Sequence, residues 1–535
     1  MMNNPIITLS ESQSFTTLMV DYLSKNENVE PFYQAYPNEE NLLKQAEKKL
    51  RSYSRRELLV ERLQAQYSEI SLTQKQRENI ELLKNSHTLT ITTGHQLNLL
   101  TGPVFFFYKI LQTIKMCALL NESQKKYSFV PIFWMATEDH DFEEINHFNF
   151  QNRKFIWEHP HGGAVGRLSL EGIEEVVDAF LNFFPESERK KELKKIIDKS
   201  YCSAKNLSQA TRIFVQELLG EYGILCLDGD DARLKKEMIP IFEKELIEQS
   251  SQTKIQEQSA ALHDLGYTIQ VYPRPINLFY LHGSKRERIV EEEGRFMVLN
   301  TNLSFYRKEI IDELYAYPEK FSPNVVLRPV YQEVILPNVA YIGGGGELAY
   351  WLQLKSNFVE LDVDFPLLFL RNSLLFLSEK QHSKQLRLQL SNQELFYPIH
   401  ELVREKVRQE STVYHTILPY ENRLIDLFDE LEKLAEQTNP TFSDMLQAQR
   451  SKQLKGFDKL KKRMMKAEIK EHQALSNRIK KLKNELFPQG ELQERHVNFS
   501  DFWLDYGKDW LNDVYDAISP FTFGFIIKTL SDDRK

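Results

Sequence analysis

Six ionisable residues crowd seven positions of the chain: Glu138, Asp139, His140, Asp141, Glu143 and Glu144. Only Thr137 separates them from the apolar run Phe129 to Ala136. Carboxylates and an imidazole at this density could ligate a divalent metal, hold an ammonium or sugar hydroxyls, or supply a general base with a shifted pKa. The spacing matches no standard zinc pattern, so any metal stays unknown. Acids at a solvated helix N-terminus would also suit the helix dipole. Such a cap needs no histidine, however, and does not usually follow so apolar a strand. Asp139, His140 and Asp141 are therefore the candidate catalytic group, with Glu138 as a binding residue beside them.

A second candidate runs from Thr92-Thr93-Gly94-His95-Gln96 through Leu99-Leu100-Thr101-Gly102-Pro103. Gly94 lets a ligand approach the backbone, a following helix start offers N–H groups to an anion, and His95 could support developing phosphate charge. These residues resemble the T-x-G-H form of the nucleotidylyltransferase signature; a glycine turn with a histidine at a sheet edge is the plain alternative. A third candidate is the run Gly343, Gly344, Gly345 and Gly346, followed by Glu347 and an apolar helical stretch. Backbone this permissive can wrap amides around phosphate or carboxylate, although it lacks the Lys-Ser/Thr ending of a P-loop and the G-x-G-x-x-G spacing. Its alternative is a hinge. Upstream, Arg328 could add an anion-binding guanidinium or be purely structural.

Other charged runs read as solvent-facing. Ser284-Lys285-Arg286-Glu287-Arg288 could hold phosphate, but a solvated basic loop is the favoured reading. Between Arg450 and Asn484, 13 Lys/Arg stand against three acids, yet only Phe457 interrupts them with an aromatic ring. A nucleic-acid groove interleaves rings with cations, so a solvated helix is favoured and nucleic acid is not expected as a partner. Cys117, Cys202 and Cys226 read as buried small apolar residues rather than nucleophiles.

The elements that must position these groups follow from periodicity. Thr88 to Gly94 is a β-branched run ending in glycine, Phe105 to Leu120 is helical, and Phe129 to Ala136 is a second strand within reach of a right-handed crossover. Gly223 to Asp228 is a third. Strands with polar carboxyl ends suit an open α/β sheet, which binds ligands beyond those ends. Residues 1–85 read as a helical lead-in and 86–380 as the core, with insertions at about 170–220 and 268–306. Residues 381–535 read as a C-terminal helical region with a tail returning to the core. There, Leu424, Leu427, Leu431 and Leu434, and then Leu475, Ile479, Leu482 and Leu486, repeat at coiled-coil spacing, with Gly456 counting against one unbroken supercoil.

Composition excludes much else. The chain has 535 residues, 41% of them hydrophobic and 27% charged, with 20 Gly and 20 Pro, which rules out a disulfide scaffold, a collagenous repeat or broad disorder. Three widely spaced cysteines fit a reducing cytoplasm. No signal peptide is read in the N-terminal residues and no apolar run approaches the ~20 residues of a membrane helix, so no membrane partner is expected.

Thr93-Gly94-His95-Gln96 with Leu99 to Pro103, the block Pro131 to Phe142, Gly343 to Trp351, and Leu492-Gln493-Glu494-Arg495 followed by Asn498 occur in an order similar to that of BshC, the cysteine ligase family of bacillithiol synthesis. The resemblance covers nearly the whole chain. It implies a Rossmann-type, nucleotidylyltransferase-like α/β core of parallel strands, interrupted by connecting-peptide insertions, and a C-terminal α-helical coiled coil that forms a homodimer. It also implies the last step of bacillithiol synthesis, in which cysteine is joined to glucosaminyl malate through an amide. Members commonly carry Gln where this chain has His95, which moves the expected shared polar contact to Gln96. A carboxylate resists attack by an amine, so adenylation by ATP is the simplest activation, with ATP or ADP as the nucleotide. On this reading Thr93, Gly94, His95, Thr101 and Gly102 cradle phosphates, Gln96 joins Asp139, His140 and Asp141, and the glycine run with Glu347 shapes the substrate pocket. Two other readings stand beside it: a nucleotidylyl or aminoacyl transferase acting on another acid, and a non-enzymatic RNA-binding or scaffold protein.

Overall fold

The structure, a computed structural model, describes residues 4–159 and 162–531; of the N-terminal stretch read above, residues 1–3 lie outside it, as do 532–535 at the tail. It divides into two compact units. The first comprises Met1–Ser10, Ser14–Phe376 and Gln493–Lys535, the second Glu11–Gln13 and Leu377–Leu492.

In the first unit the helical lead-in includes α1 (Glu39–Ser52), started by the Asn38 side chain accepting from the Asn41 N–H at 2.8 Å. The core then alternates strand and helix: β1 (Thr88–His95), α2 (Phe105–Ser123) and β2 (Ser128–Met135). The insertion that follows carries helices, among them α3 (Leu207–Leu219), before β3 (Leu225–Asp228). A second insertion builds an antiparallel sheet from β4 (Leu278–His282), β5 (Lys285–Glu292), β6 (Arg295–Val298), β7 (Ser304–Tyr306) and β8 (Phe321–Pro323), in the order β7-β6-β5-β4-β8. The chain returns through α4 (Arg328–Ile335), β9 (Asn338–Gly343), α5 (Gly345–Trp351) and β10 (Leu367–Leu370).

The core sheet is wholly parallel in the order β10-β9-β1-β2-β3. The chain leaves β1 toward β2 and β3 on one side and comes back as β9 and β10 on the other, so a topological switch point lies between β1 and β9. Alternate residues divide between two apolar layers, as a sheet covered on both faces requires. Leu89, Ile91, Phe129, Ile342 and Phe369 belong to one buried cluster, while Val130, Ile132, Tyr341 and Leu368 belong to the other. Register then levels the strand tips: His95 pairs with Met135, Met135 with Asp228, and Gly343 with Leu370. The tail adds β11 (Phe525–Leu530), paired antiparallel with the short strand Ile6–Ile7, where the sequence reading had strand signals fading.

The second unit is helical, with α6 (Ile399–Glu410), α7 (Thr412–Ala435), α8 (Pro440–Glu471) and α9 (Gln473–Leu486). Leu424 and Leu431 pack on a small core of Phe428, Ala435 and Leu446, whereas Leu427 and Leu434 are exposed. The second repeat, Leu475, Ile479, Leu482 and Leu486, is buried. Helix α8 runs unbroken through Gly456, where an added Cβ would meet open space. Arg450 pairs with Asp429 and Glu432, so the basic segment is partly neutralised within the hairpin. Of the cysteines, Cys117 and Cys226 are buried as expected, but Cys202 is exposed, since it closes a single wide helical turn, Asp198–Cys202, at the surface. No helix among the described residues is long and apolar enough to cross a membrane.

Candidate functional site

Beyond the strand tips of the core sheet lies a cavity of about 1010 Å³, formed entirely within the first unit. It gathers Gly94, His95 and Gln96 from the end of β1, and Glu138, Asp139, His140 and Asp141 from the turn after β2. Arg328 from α4 and Gly344, Gly345, Gly346 and Glu347 at the start of α5 complete the set of expected residues that line it. These groups are distant in sequence and meet because the register brings their strands to one edge.

Four expected residues are not on its wall. Thr93 is buried and its hydroxyl donates to the Ile342 carbonyl at 2.8 Å. Gly343 ends β9, where a Cβ would come within 2.8 Å of the Leu348 side chain. Thr101 and Gly102 do not cradle a ligand, because the loop is turned inward and its carbonyls are consumed. Asn498 Nδ2 donates to the Leu100 and Gly102 carbonyls at 2.9 and 2.6 Å, and the Tyr201 hydroxyl accepts from the Leu100 N–H at 3.1 Å. Leu100, Thr101 and Gly102 all hold positive φ, at 43°, 68° and 61°, a strained path that only the surrounding clamps maintain.

On the turn after β2, Asp139 Oδ2 accepts from Gln96 Nε2 at 2.9 Å and Oδ1 accepts from the His140 N–H at 2.7 Å. Burial alone would raise the Asp139 pKa, but the adjacent His140, the hydrogen bonds from Gln96 and the His140 backbone N–H, and the charge of Arg286 hold it well below the usual carboxylate range. Gln96 also donates to Glu144 at 2.8 Å, so its amide is fixed as a donor between two carboxylates. Glu138 is largely desolvated, which raises its pKa against the pull of Lys235, whose ammonium lies 2.6 Å away. Lys235 in turn meets Asp230 at 3.1 Å.

The opposite wall is cationic. Lys109, buried in the middle of an apolar helix, donates to both Glu347 carboxylate oxygens at 2.8 Å and to the Gly94 carbonyl, tying the β1 tip to α5. Arg371, which follows β10 directly, forms a bidentate pair with Glu494 at 2.8 and 2.6 Å. Arg328 reaches Gln332 at 3.2 Å and the Tyr350 hydroxyl at 3.4 Å, and a Cβ on Gly94 would touch its guanidinium at 3.5 Å and crowd the Tyr341 hydroxyl at 3.2 Å. His95 is half-buried and packs against Phe105 and Phe106; desolvation of its ring, then Lys109 and Arg371, hold its pKa well below the ordinary value, so its ring is neutral.

Sequence reasoning missed most of these cations. Lys109, Arg274, Arg371 and Arg495 line the cavity without having been singled out as ligand contacts, as do Arg286 and Arg288, for which a solvated loop is the favoured reading over a phosphate site. The run at Ser284 to Arg288, read as solvated, is a strand in which Arg286 is buried, with 8% of its surface exposed, and faces the cavity. Strand alternation could have signalled this, since neighbours in a β-forming segment point to opposite faces. In all, seven cationic side chains and four carboxylates line the cavity, in a chain whose net charge is -8. Among the described residues no group of three or more His, Cys, Asp or Glu is placed to hold a metal ion. The arrangement suits a ligand carrying several anionic groups with a cationic or hydroxylated portion near Asp139.

Comparison with known proteins agrees with this architecture. Residues 2–372 match the family model "Bacillithiol biosynthesis BshC, N-terminal Rossmann-like domain", and residues 374–530 match "Bacillithiol biosynthesis BshC, C-terminal coiled-coil domain". The chain is 44% identical over 529 residues, 98% of each chain, to a Christiangramia forsetii protein named "Putative cysteine ligase BshC". Proteins of the same name from Flavobacterium psychrophilum and Cytophaga hutchinsonii are 44% identical (97% of this chain, 98% of theirs) and 38% identical (97% of each). The chain belongs to the BshC family of bacillithiol biosynthesis.

Proposed function

We propose that the protein is a carbon-nitrogen ligase that joins cysteine to the amine of glucosaminyl malate in the last step of bacillithiol biosynthesis. The observation that carries this reading is the cavity itself, in which seven cations and a fixed Asp139, Gln96 and His140 cluster line one space beyond the strand tips of a Rossmann-like sheet. The cation-rich wall suits the two carboxylates of a malyl group and the phosphates of a nucleotide. The name shared by the relatives supports cysteine as a substrate.

Chemistry supplies the rest of the proposal. A carboxylate is a poor acyl donor at neutral pH, so the cysteine carboxylate oxygen attacks the α-phosphorus of ATP and pyrophosphate leaves. The glucosaminyl amine then attacks the acyl carbon, the bond from that carbon to the adenylyl oxygen breaks, AMP leaves, and the amine proton passes to a nearby carboxylate or to water. Asp139, held ionised, and Asp141 orient the amine, while Arg328, Arg495 and the open backbone of Gly344 to Gly346 receive the anionic groups. Incubating the purified protein with cysteine, glucosaminyl malate and ATP tests this. Thiol product with stoichiometric AMP and pyrophosphate is expected; product without nucleotide turnover rejects adenylation, and no product with any activated donor rejects the ligase.

We also propose a homodimer through the helical unit, in the cytoplasm. Val413, Tyr420, Leu427 and Leu434 recur every seven residues along α7 and are 50 to 57% exposed. A heptad row left uncovered is a coiled-coil seam awaiting a partner. Sedimentation of the full chain and of an L427E/L434E variant distinguishes a dimer from a monomer.

A further inference from the structure

Arg286 comes from the inserted antiparallel sheet, not from the Rossmann-like core, yet each side of its guanidinium has a fixed acceptor. Nε donates to Ser322 Oγ at 3.0 Å, Nη2 donates to the Pro323 carbonyl at 2.9 Å, and Nη1 lies 2.8 Å from His140 Nδ1. Its plane lies 4.0 Å over the Phe279 ring, and the His140 ring packs on the same phenylalanine at 5.3 Å. A guanidinium has donors and no acceptor, so the contact with His140 requires a lone pair on Nδ1. Asp139 Oδ1 is 3.7 Å from that nitrogen, beyond hydrogen-bond reach, and already accepts the His140 N–H. Nδ1 is therefore occupied as an acceptor, and the neutral ring carries its proton on Nε2. The side chain is 44% exposed at the cavity wall, so Nε2 is the ring nitrogen left to meet a ligand.

We propose that Arg286 is a positioning residue that fixes His140 in the Nε2–H tautomer, so that His140 serves the reaction as a hydrogen-bond donor to an acyl oxygen and not as a proton acceptor. This rests on the ligase reading, in which negative charge develops on the acyl oxygen as the amine attacks. The proton released by the amine then passes to the Asp141 carboxylate or to water, while Asp139, held ionised, orients the amine. A bidentate-capable guanidinium suits such a task because its donors are set in one plane, whereas an ammonium would leave the ring free to turn.

The test is the 15N spectrum of the full-length, ligand-free protein labelled only in histidine, with the His140 signals assigned by their loss in His140→Gln. Protonated Nε2 and unprotonated Nδ1 are expected, and Arg286→Lys is expected to yield a mixture of tautomers. A proton on Nδ1, or a mixture in the unmodified protein, overturns the proposal whatever the variants do. His140→Gln retains a donor near the Nε2 position and is expected to keep ligation within about 10-fold, whereas His140→Ala loses about 100-fold. Equal loss in both variants overturns the donor role. Because the tautomer is read without substrate, an Nδ1–H ring in an active ligase counts against this proposal alone. An Nε2–H ring in a protein without ligase activity counts against the ligase reading and the donor role together.

Discussion

The loop after β1 and the turn after β2 leave the same edge of one sheet, from strands paired in register up to His95 and Met135. Both carry glycine, histidine or acids of the kind that bind ligands. In the first, Asn498 takes the Leu100 and Gly102 carbonyls, the Tyr201 hydroxyl takes the Leu100 N–H, and Thr101 is buried. In the second, the polar groups of Asp139 and His140 are fixed by Gln96 and Arg286 but still open onto the cavity. The difference is in who consumes the hydrogen-bonding capacity. A strand end whose backbone groups are turned inward and held by the protein has become scaffold, and one whose side chains are held yet left facing space is available for chemistry.

Substitutions should separate the two regions, beginning with the largest effect. Asp139→Ala removes the acceptor that orders Gln96 and the amine, and should cut kcat/KM about 100-fold or more per folded molecule. Asn498→Ala should act on stability instead. Two buried carbonyls lose their donor, costing about 1–3 kcal/mol in urea denaturation, with turnover per folded molecule retained. Arg495→Ala removes an exposed guanidinium from the cavity wall and should raise KM for the anionic substrate about 10-fold with kcat and stability unchanged. Thr101→Gly should be smallest: relief of a φ of 68° is partly offset by the entropy of glycine, leaving a gain within about 1 kcal/mol and no change in rate.

Acid sharpens the same contrast. The Asp139 carboxyl has a folded-state pKa below its unfolded value, so its contribution to stability is present above the unfolded pKa and is lost as pH falls through the folded one. Wild type should therefore lose stability below about pH 4 faster than Asp139→Asn. The deficit of Asn498→Ala, which involves no titrating group, should be the same on either side of that window.

The strand-helix-strand frame was legible because it is local. A β-branched run, an apolar 19-residue helix and a second apolar strand each declare themselves by composition, and their polar ends name Gln96 and Asp139. Strands β9 and β10 were less visible, being short and apolar without alternation. The cations were not legible, because an arginine has no spacing signature and these come from separate elements: Arg371 after β10, Arg495 in the tail, Arg286 in an inserted sheet. Thr101 and Gly102 misled for the converse reason. Glycine and proline mark an unusual backbone, and only Asn498, nearly 400 residues on, shows that the backbone is used for packing.

The most direct measurement is a crystal structure of the protein soaked with glucosaminyl malate. The account predicts malyl carboxylates against Arg328 and Arg495 and the glucosaminyl amine within hydrogen-bond distance of Asp139 or Asp141. Ordered ligand elsewhere on the chain, with this cavity holding only water, would contradict it.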